Sequence, residues 1–219
     1  NRKTHRAHNR IREGNFSLAG LDGFDMHGRT AGVVGTGKIG ECVLRILHGF
    51  GCHLLAHSRT VRQDLVDELG VGYVSLDELL AQADIISFNA PLTPETHHLI
   101  DADAITKMKT GVMLINTARG GLIDTEALLE GLKNGKIGYA GLDVYEEEAD
   151  YFFQDFSDSL ITDDLLARLT TFNNVMITSH QGSFTDVAQN NMADTTLENI
   201  REFELGKRGR ELTNAVFVP

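Results

Sequence analysis

The chain has 219 residues, of which 42% are hydrophobic and 23% charged. That suits one large α/β domain with its own core, or one domain plus part of another. A formal net charge of −11 argues against a general nucleic-acid binder, because phosphate backbones are held by Lys and Arg. No stretch approaches the ~18 apolar residues of a membrane span and none resembles a signal peptide, so a cytoplasmic, soluble protein without a membrane partner is the expectation.

The chain opens on Asn1 and runs directly into "NRKTHRAHNRIREGNF", which reads as the interior of a longer polypeptide. This opening helix is basic, with Arg2, Lys3, Arg6, Arg10 and Arg12 beside His5 and His8. It suits an interdomain or subunit contact against acidic surface, or a solvated face, better than nucleic acid. "RTAGVVGTG" is a short apolar strand ending in glycines, and "IGECVLRILHGFG" carries Ile39, Val43, Ile46 and Leu47 at helical spacing. "CHLLAH" is a second strand. Cys42 and Cys52 fall inside elements expected to be buried, as free thiols of a reducing compartment.

"DLVDELG" reads as a helix closed by Gly70, and "SLDELLAQA" as another with Ser75 as its N-cap. "DIISFNAP" is a strand stopped by Pro91, and "GVMLINTA" a nearly all-apolar strand of the kind covered on both faces. "DTEALLEGLKNGK" is a helix with Asp124 at its start and Gly135 near its end. "GYAGLDV" and "NNVMITSH" supply two more strands, and a long helix runs from about Asp186 to Gly206. Alternating strands and helices of this kind give a parallel, doubly wound sheet, with ligands at the carboxyl ends of its strands. "EEEADYFFQDFSDSLITDD" is long and irregular, which points to a functional loop. There are no internal repeats and no low-complexity tract.

"GVVGTGKIGE" sets Gly35, Gly37 and Gly40 in G-x-G-x-x-G spacing between a strand and a helix. Gly35 permits the tight turn, Gly37 admits a pyrophosphate, and Gly40 allows close helix–strand packing. The amides at the helix start then bind phosphate. The position of Lys38 does not fit a Walker A loop. An NAD site places a carboxylate about 20 residues onward; here "LLAHSRT" offers Ser58 and Arg59 instead. A hydroxyl and a guanidinium accept the 2′-phosphate of NADP, with Thr60 adding a hydroxyl and Arg62 standing further off. Alternatively Ser58 is a neutral turn residue and Arg59 faces solvent, leaving a site indifferent to that phosphate. His57 is a candidate to stack on adenine or a half-exposed strand end.

Three later strand ends carry reactive groups: Arg119 in "LINTARGGLID", an acidic cluster in "GLDVYEEEAD", and His180 before Gly182 in "VMITSHQGSF". Each has an ordinary structural alternative, as ion-pair partner, solvated loop or polar cap. Together with a dinucleotide motif, an arginine, a carboxylate and a histidine form a set that one reaction needs.

With these segments and "APLTPETHHLI", the chain resembles the D-isomer-specific 2-hydroxyacid dehydrogenases, and "YFFQDFSDSLITDDLLARL" is similar to their D-lactate dehydrogenase branch. The resemblance implies a Rossmann cofactor domain over residues 1–184, including the opening linker helix. Residues 185–219 would return to a flavodoxin-like substrate domain that lies mostly outside this chain. It implies catalytic roles for Arg119 (substrate carboxylate), His180 (general acid) and Glu148 (its orienting partner, by its spacing from Asp143). It further implies that Pro91, Thr96, Thr117, Ala118 and Asp143 line the cofactor, in a site with Gly35, Thr36, Gly37, Lys38, Ile39, Gly40, Ser58, Arg59, Thr60, Ala90, His180 and Gly182. Ser58 and Arg59 depart from the family's acidic residue and turn the expectation toward NADP over NAD. Asp143 has an equal claim to be a strand-end cap. A homodimer through the cofactor domains and a short 2-oxo acid such as pyruvate follow, with 2-oxoisocaproate, glyoxylate or hydroxypyruvate as rival substrates and a non-catalytic dinucleotide sensor as the rival class. His97 and His98 are neighbours expected to point differently, so no metal site is expected.

Overall fold

A strand that is apolar on both faces needs a cover on each, and the sheet is built accordingly. The computed structural model describes residues 1–216, which fall in two compact units, Asn1–Ser179 and a second that begins at His180. The first unit begins with helix α1 (Thr4–Arg12). It continues through β1 (Thr30–Val34), α2 (Lys38–Gly49), β2 (His53–His57), α3 (Gln63–Leu69), β3 (Gly72–Tyr73), α4 (Leu76–Gln82) and β4 (Ile85–Phe88). Then follow α5 (Ala102–Lys107), β5 (Val112–Asn116), α6 (Thr125–Lys133), β6 (Ile137–Leu142), α7 (Asp164–Thr170) and β7 (Val175–Ile177). All seven strands are parallel, in the order β3-β2-β1-β4-β5-β6-β7. The order reverses between β1 and β4, the switch point where doubly wound sheets bind ligands.

The residues on the two faces of the strands divide the core. Ala31, Val33, Ile85 and Met113 pack with Leu44 and Leu47 of α2 and Leu65 of α3. Val34, Ile86, Phe88, Val112 and Leu114 pack on the other face with Leu79, Ile105, Leu128 and Leu166. Each of the Val, Leu, Ile, Met and Phe side chains removed from water here contributes on the order of 1.5–3 kcal/mol. Helix starts are fixed by side chains: Ser75 forms a capping box with Glu78, and Asp101, Asp124 and Asp163 cap α5, α6 and α7.

One expectation needs correcting. Cys42 is exposed, and so are Ile39 (68%) and Ile46 (60%), because α2 buries Gly40, Leu44 and Leu47 instead. The basic residues of α1 partly serve their own unit. Arg10 donates to the carbonyls of Ser17 and Ala19, Lys3 to Gly20, and Arg6 to Asn173.

The second unit is built on α8 (Asp186–Glu204), capped by Thr185. Glu202 is buried and binds Lys207 and Thr213, which folds the tail back on the helix. Val187, Met192, Leu197, Ile200 and Phe203 remain exposed. Among the described residues no helix is long and apolar enough to cross a membrane.

Candidate active site

Register places the strand ends in one row. Val34 pairs with His57 and Phe88, Phe88 with Asn116, Asn116 with Leu142, and Leu142 with Ile177. The residue after each strand end is then tied to its neighbour: Gly35 N donates to His57 O, Asn89 N to Val34 O, Asp143 N to Asn116 O, and Thr178 N to Leu142 O. Most candidate residues of the first unit therefore stand on or beside one carboxyl edge.

The glycine loop sits at the middle of that edge. Gly35 has φ +90°, and a Cβ there would lie 2.8 Å from the backbone of Asn89 and Ala90. A Cβ on Gly40 would stand 2.0 Å from the Gly35 carbonyl oxygen, whereas at Gly37 it would meet nothing within 4 Å. The turn is thus closed on its inner side and open outward, beside the first amides of α2. The Oδ1 of Asn89 is buried without a hydrogen-bond partner among the described residues. This arrangement fits a dinucleotide pyrophosphate. Thr36 is buried, while Lys38 and Ile39 are exposed around the opening. Gly40→Ala is expected to cost about 1–3 kcal/mol by overpacking and to weaken NADH binding, since the turn must shift. Thermal melting and fluorescence titration check this; unchanged affinity would place the cofactor elsewhere.

At the end of β2, Ser58 is half-buried, and Arg59 and Thr60 are exposed. Arg62 is committed elsewhere: it pairs with Asp64 at 2.5 Å and Glu41 at 3.1 Å, which push its pKa up. Arg59 makes no ion pair or side-chain hydrogen bond among the described residues. It does contribute, after the Thr93 hydroxyl, to holding the Glu95 carboxyl below its ordinary range. Its charge therefore reaches toward the loop that follows β4. His57 is half-buried, its Nδ1 3.1 Å from the Val74 carbonyl.

In the loop after β4, the Thr96 hydroxyl donates to the Pro91 carbonyl at 2.7 Å and accepts from Thr93 N. Thr96 thereby shapes the turn that follows Ala90 and Pro91. After β5, Asn116 is buried; its amide donates to Arg119 O at 2.9 Å and accepts from Ala118 N at 3.1 Å. This clamp presents Thr117 and Arg119 as exposed side chains, with the Arg119 guanidinium donating to the Ala118 carbonyl. Asn116 was not among the residues singled out from the sequence. Its signal was one amide at the end of an otherwise apolar strand.

The loops after β5 and β6 are in direct contact. A Cβ on Gly120 would lie 2.1 Å from Tyr145 C and 2.4 Å from Glu146 N. Glu148 accepts from Tyr145 N at 2.9 Å, Asp143 accepts from the Thr178 hydroxyl, and Tyr145 donates to Asp163 at 2.7 Å. His98 meets Glu146 at 2.5 Å, and Thr125 donates to the same carboxylate at 2.9 Å. His97 and His98 do not point apart as expected: His98 adopts φ +49°, and the rings stack with centroids 4.0 Å apart. Their nitrogens and Glu146 come within 4.8 Å of one another. Stacked rings send their in-plane lone pairs side by side rather than toward one ion, and Glu146 already engages His98.

His180 follows β7 by three residues and opens the second unit with φ +51°. It is half-buried, and Gly182 is exposed. Within the first unit the structure thus groups the glycine loop, the segment from Ala90 to Thr96, the Arg119 loop, Asp143 and Glu148. His180 and Gly182 belong to the other unit.

A parallel sheet with this strand order and a glycine cradle at its switch point defines a dinucleotide-binding domain of the Rossmann class. Residues 1–182 match the family described as D-isomer specific 2-hydroxyacid dehydrogenase, NAD binding domain, and the chain belongs to that family. It is 52% identical to a "2-hydroxyacid dehydrogenase homolog" of Haemophilus influenzae and 51% identical to a D-lactate dehydrogenase of Escherichia coli, each over 94% of this chain. It spans 62% and 63% of those two proteins. A solved structure described as the pyruvate reductase of Chlamydomonas reinhardtii superposes with a TM-score of 0.92 at 43% identity, covering 98% of this chain and 64% of that one.

Proposed function

We propose that the protein carrying this chain is an NAD(P)-dependent D-2-hydroxyacid dehydrogenase of the D-lactate dehydrogenase type, reducing pyruvate or a similar short 2-oxo acid. The observation that carries this reading is the single carboxyl edge on which the glycine cradle, Arg119 and Glu148 are gathered. The relatives named for D-lactate and pyruvate support the substrate class.

In this reading the cradle of Gly35, Gly37 and Gly40 holds the pyrophosphate, and Ala90, Pro91, Thr96, Thr117, Ala118, Asp143 and Gly182 line the rest of the dinucleotide. The bound nicotinamide supplies the hydride. Arg119 grips the substrate carboxylate and fixes which face of C2 is presented. His180 gives its proton to the carbonyl oxygen, and Glu148 orients the imidazole. The exposed apolar residues of α8 suit packing against a substrate domain supplied by the rest of the protein, and exposed Phe16, Leu18, Ile46 and Phe50 suit a contact between two cofactor domains. A cytoplasmic location fits the same reading.

For the cofactor, we propose that Arg59 meets the 2′-phosphate of NADPH, since Arg62 is held by Asp64 and Glu41. A lost charge-assisted hydrogen bond is worth about 1.5–3 kcal/mol. Arg59→Ala should therefore weaken NADPH about 10-fold to 100-fold and NADH less than about twofold, read by titration of each. Equal losses would mean that the guanidinium does not meet the phosphate. Steady-state assays with pyruvate test the activity itself; tight NADH binding without turnover of any 2-oxo acid would favour a sensor.

A further inference from the structure

We propose that His98 is a positioning residue: bridging to Glu146, it latches the loop that carries Glu148 onto the loop that carries Arg119. This rests on the dehydrogenase reading for its catalytic consequence, but not for its geometry.

Three loops of the carboxyl edge meet at this side chain. The backbone of His98 donates to Gly121 O at 2.8 Å, which fastens the loop after β4 to the one after β5. Its Nε2 lies 2.5 Å from Glu146 Oε1 and its Nδ1 3.8 Å from Asp124 Oδ2. The other oxygen of Glu146 accepts from Thr125 Oγ1 and N, at 2.9 and 3.3 Å. Glu146 lies two residues before Glu148, whose carboxylate closes back on Tyr145 N. The Tyr145–Glu146 peptide in turn rests on Gly120, next to Arg119. The left-handed backbone of His98 aims its ring into this junction. A half-buried carboxylate deprived of its cation would have to protonate or turn toward water, and either movement would carry Glu148 with it.

The groups facing His98 are Glu146 from the β6 loop, Asp124 at the start of α6, Asp101 at the start of α5, and the stacked ring of His97. The hydrogen bond to Glu146 raises the His98 pKa above 6.5. Burial pushes Glu146 up, but His98 and Thr125 outweigh it and hold the carboxyl below 4.5. The raised histidine loses its contribution as pH rises through its folded value, and the depressed carboxyl as pH falls through its own. The latch is closed between those two limits and opens on the alkaline side as His98 deprotonates.

The test follows the His98 imidazole and the amides of Tyr145–Glu148 by NMR through a pH titration. The amides are expected to titrate with the same midpoint as the imidazole. His98→Gln should abolish that response, and Glu146→Gln should bring the imidazole midpoint down toward the ordinary value. Amides that ignore the imidazole would overturn the latch, and so would an imidazole signal that shifts when EDTA strips divalent ions, which would place a metal at His97, His98 and Glu146. In the complete enzyme, His98→Gln should lower kcat roughly 10-fold to 100-fold with NADH affinity unchanged, and His98→Lys should restore part of it. In a Glu148→Gln background the same His98→Gln change should cost less than about twofold. A full second loss there would show that His98 does not act through Glu148. Absence of turnover in the unmutated enzyme would count against the dehydrogenase reading alone, because the NMR titration decides the latch without it.

Discussion

Replacing His180 with alanine is expected to cut kcat for pyruvate reduction by about 10²–10⁴-fold, the usual contribution of a positioned general acid, while NADH affinity stays within about twofold. Hydride addition at C2 leaves charge on the carbonyl oxygen, and the barrier stays high unless a proton arrives as that charge develops. On the proposed assignment only one imidazole serves that oxygen. The glycine cradle belongs to the first unit and on the proposed assignment binds the pyrophosphate through backbone amides, so the substitution leaves it intact. The split between kcat and cofactor affinity is the diagnostic. Turnover retained above about a tenth of the original, well short of the loss a missing general acid produces, would place the proton donor elsewhere. Equal losses in both parameters would mean that His180 is structural.

The second large effect is expected at Arg119. Truncating one partner of a desolvated charge pair costs about 2–5 kcal/mol, so Arg119→Gln should lower kcat/KM for the 2-oxo acid by roughly 30-fold to 5,000-fold. Arg119→Lys should recover only part, because an ammonium cannot match both carboxylate oxygens with a planar fork. The surrounding structure makes this a clean substitution. The Arg119 carbonyl is held by Asn116 and its side chain is exposed; the guanidinium adds a bond to the Ala118 carbonyl, but the Asn116 bonds and the core do not pass through it. A variant with unchanged kinetics for the acid would refute the proposed role. A drop in melting temperature of many degrees would identify a structural one.

How far the sequence alone leads depends on what each element needs from its surroundings. Strands β1, β4, β5 and β6 and helices α4 and α6 were legible because their apolar runs and N-caps are local: Ser75 and Asp124 cap where their spacing says they should. Strand β3 has two residues and helix α5 six, too few to show a period. The buried face of α2 is not legible from its period, because Ile39 and Ile46 satisfy a helical repeat while Gly40 and Leu44 are what the sheet accepts. The site divides along the same line. Glycine spacing, Arg119 and the acidic run are visible as residues next to one another. The His98–Glu146 contact joins positions 48 apart through a left-handed backbone residue, and no local pattern announces it. The committed role of Arg62 is similarly invisible until Glu41 is brought beside it.

The central claim is that a guanidinium, an imidazole and a carboxylate from separate chain segments meet beside one nicotinamide. A crystal structure of the complete protein with NADH and a non-reducible 2-oxo acid analogue tests it most directly. The account predicts Arg119 paired with the analogue's carboxylate, His180 within about 2.6–3.2 Å of its carbonyl oxygen, and Glu148 on the far side of that imidazole. An analogue bound with His180 turned away, or with another cation on its carboxylate, would contradict it.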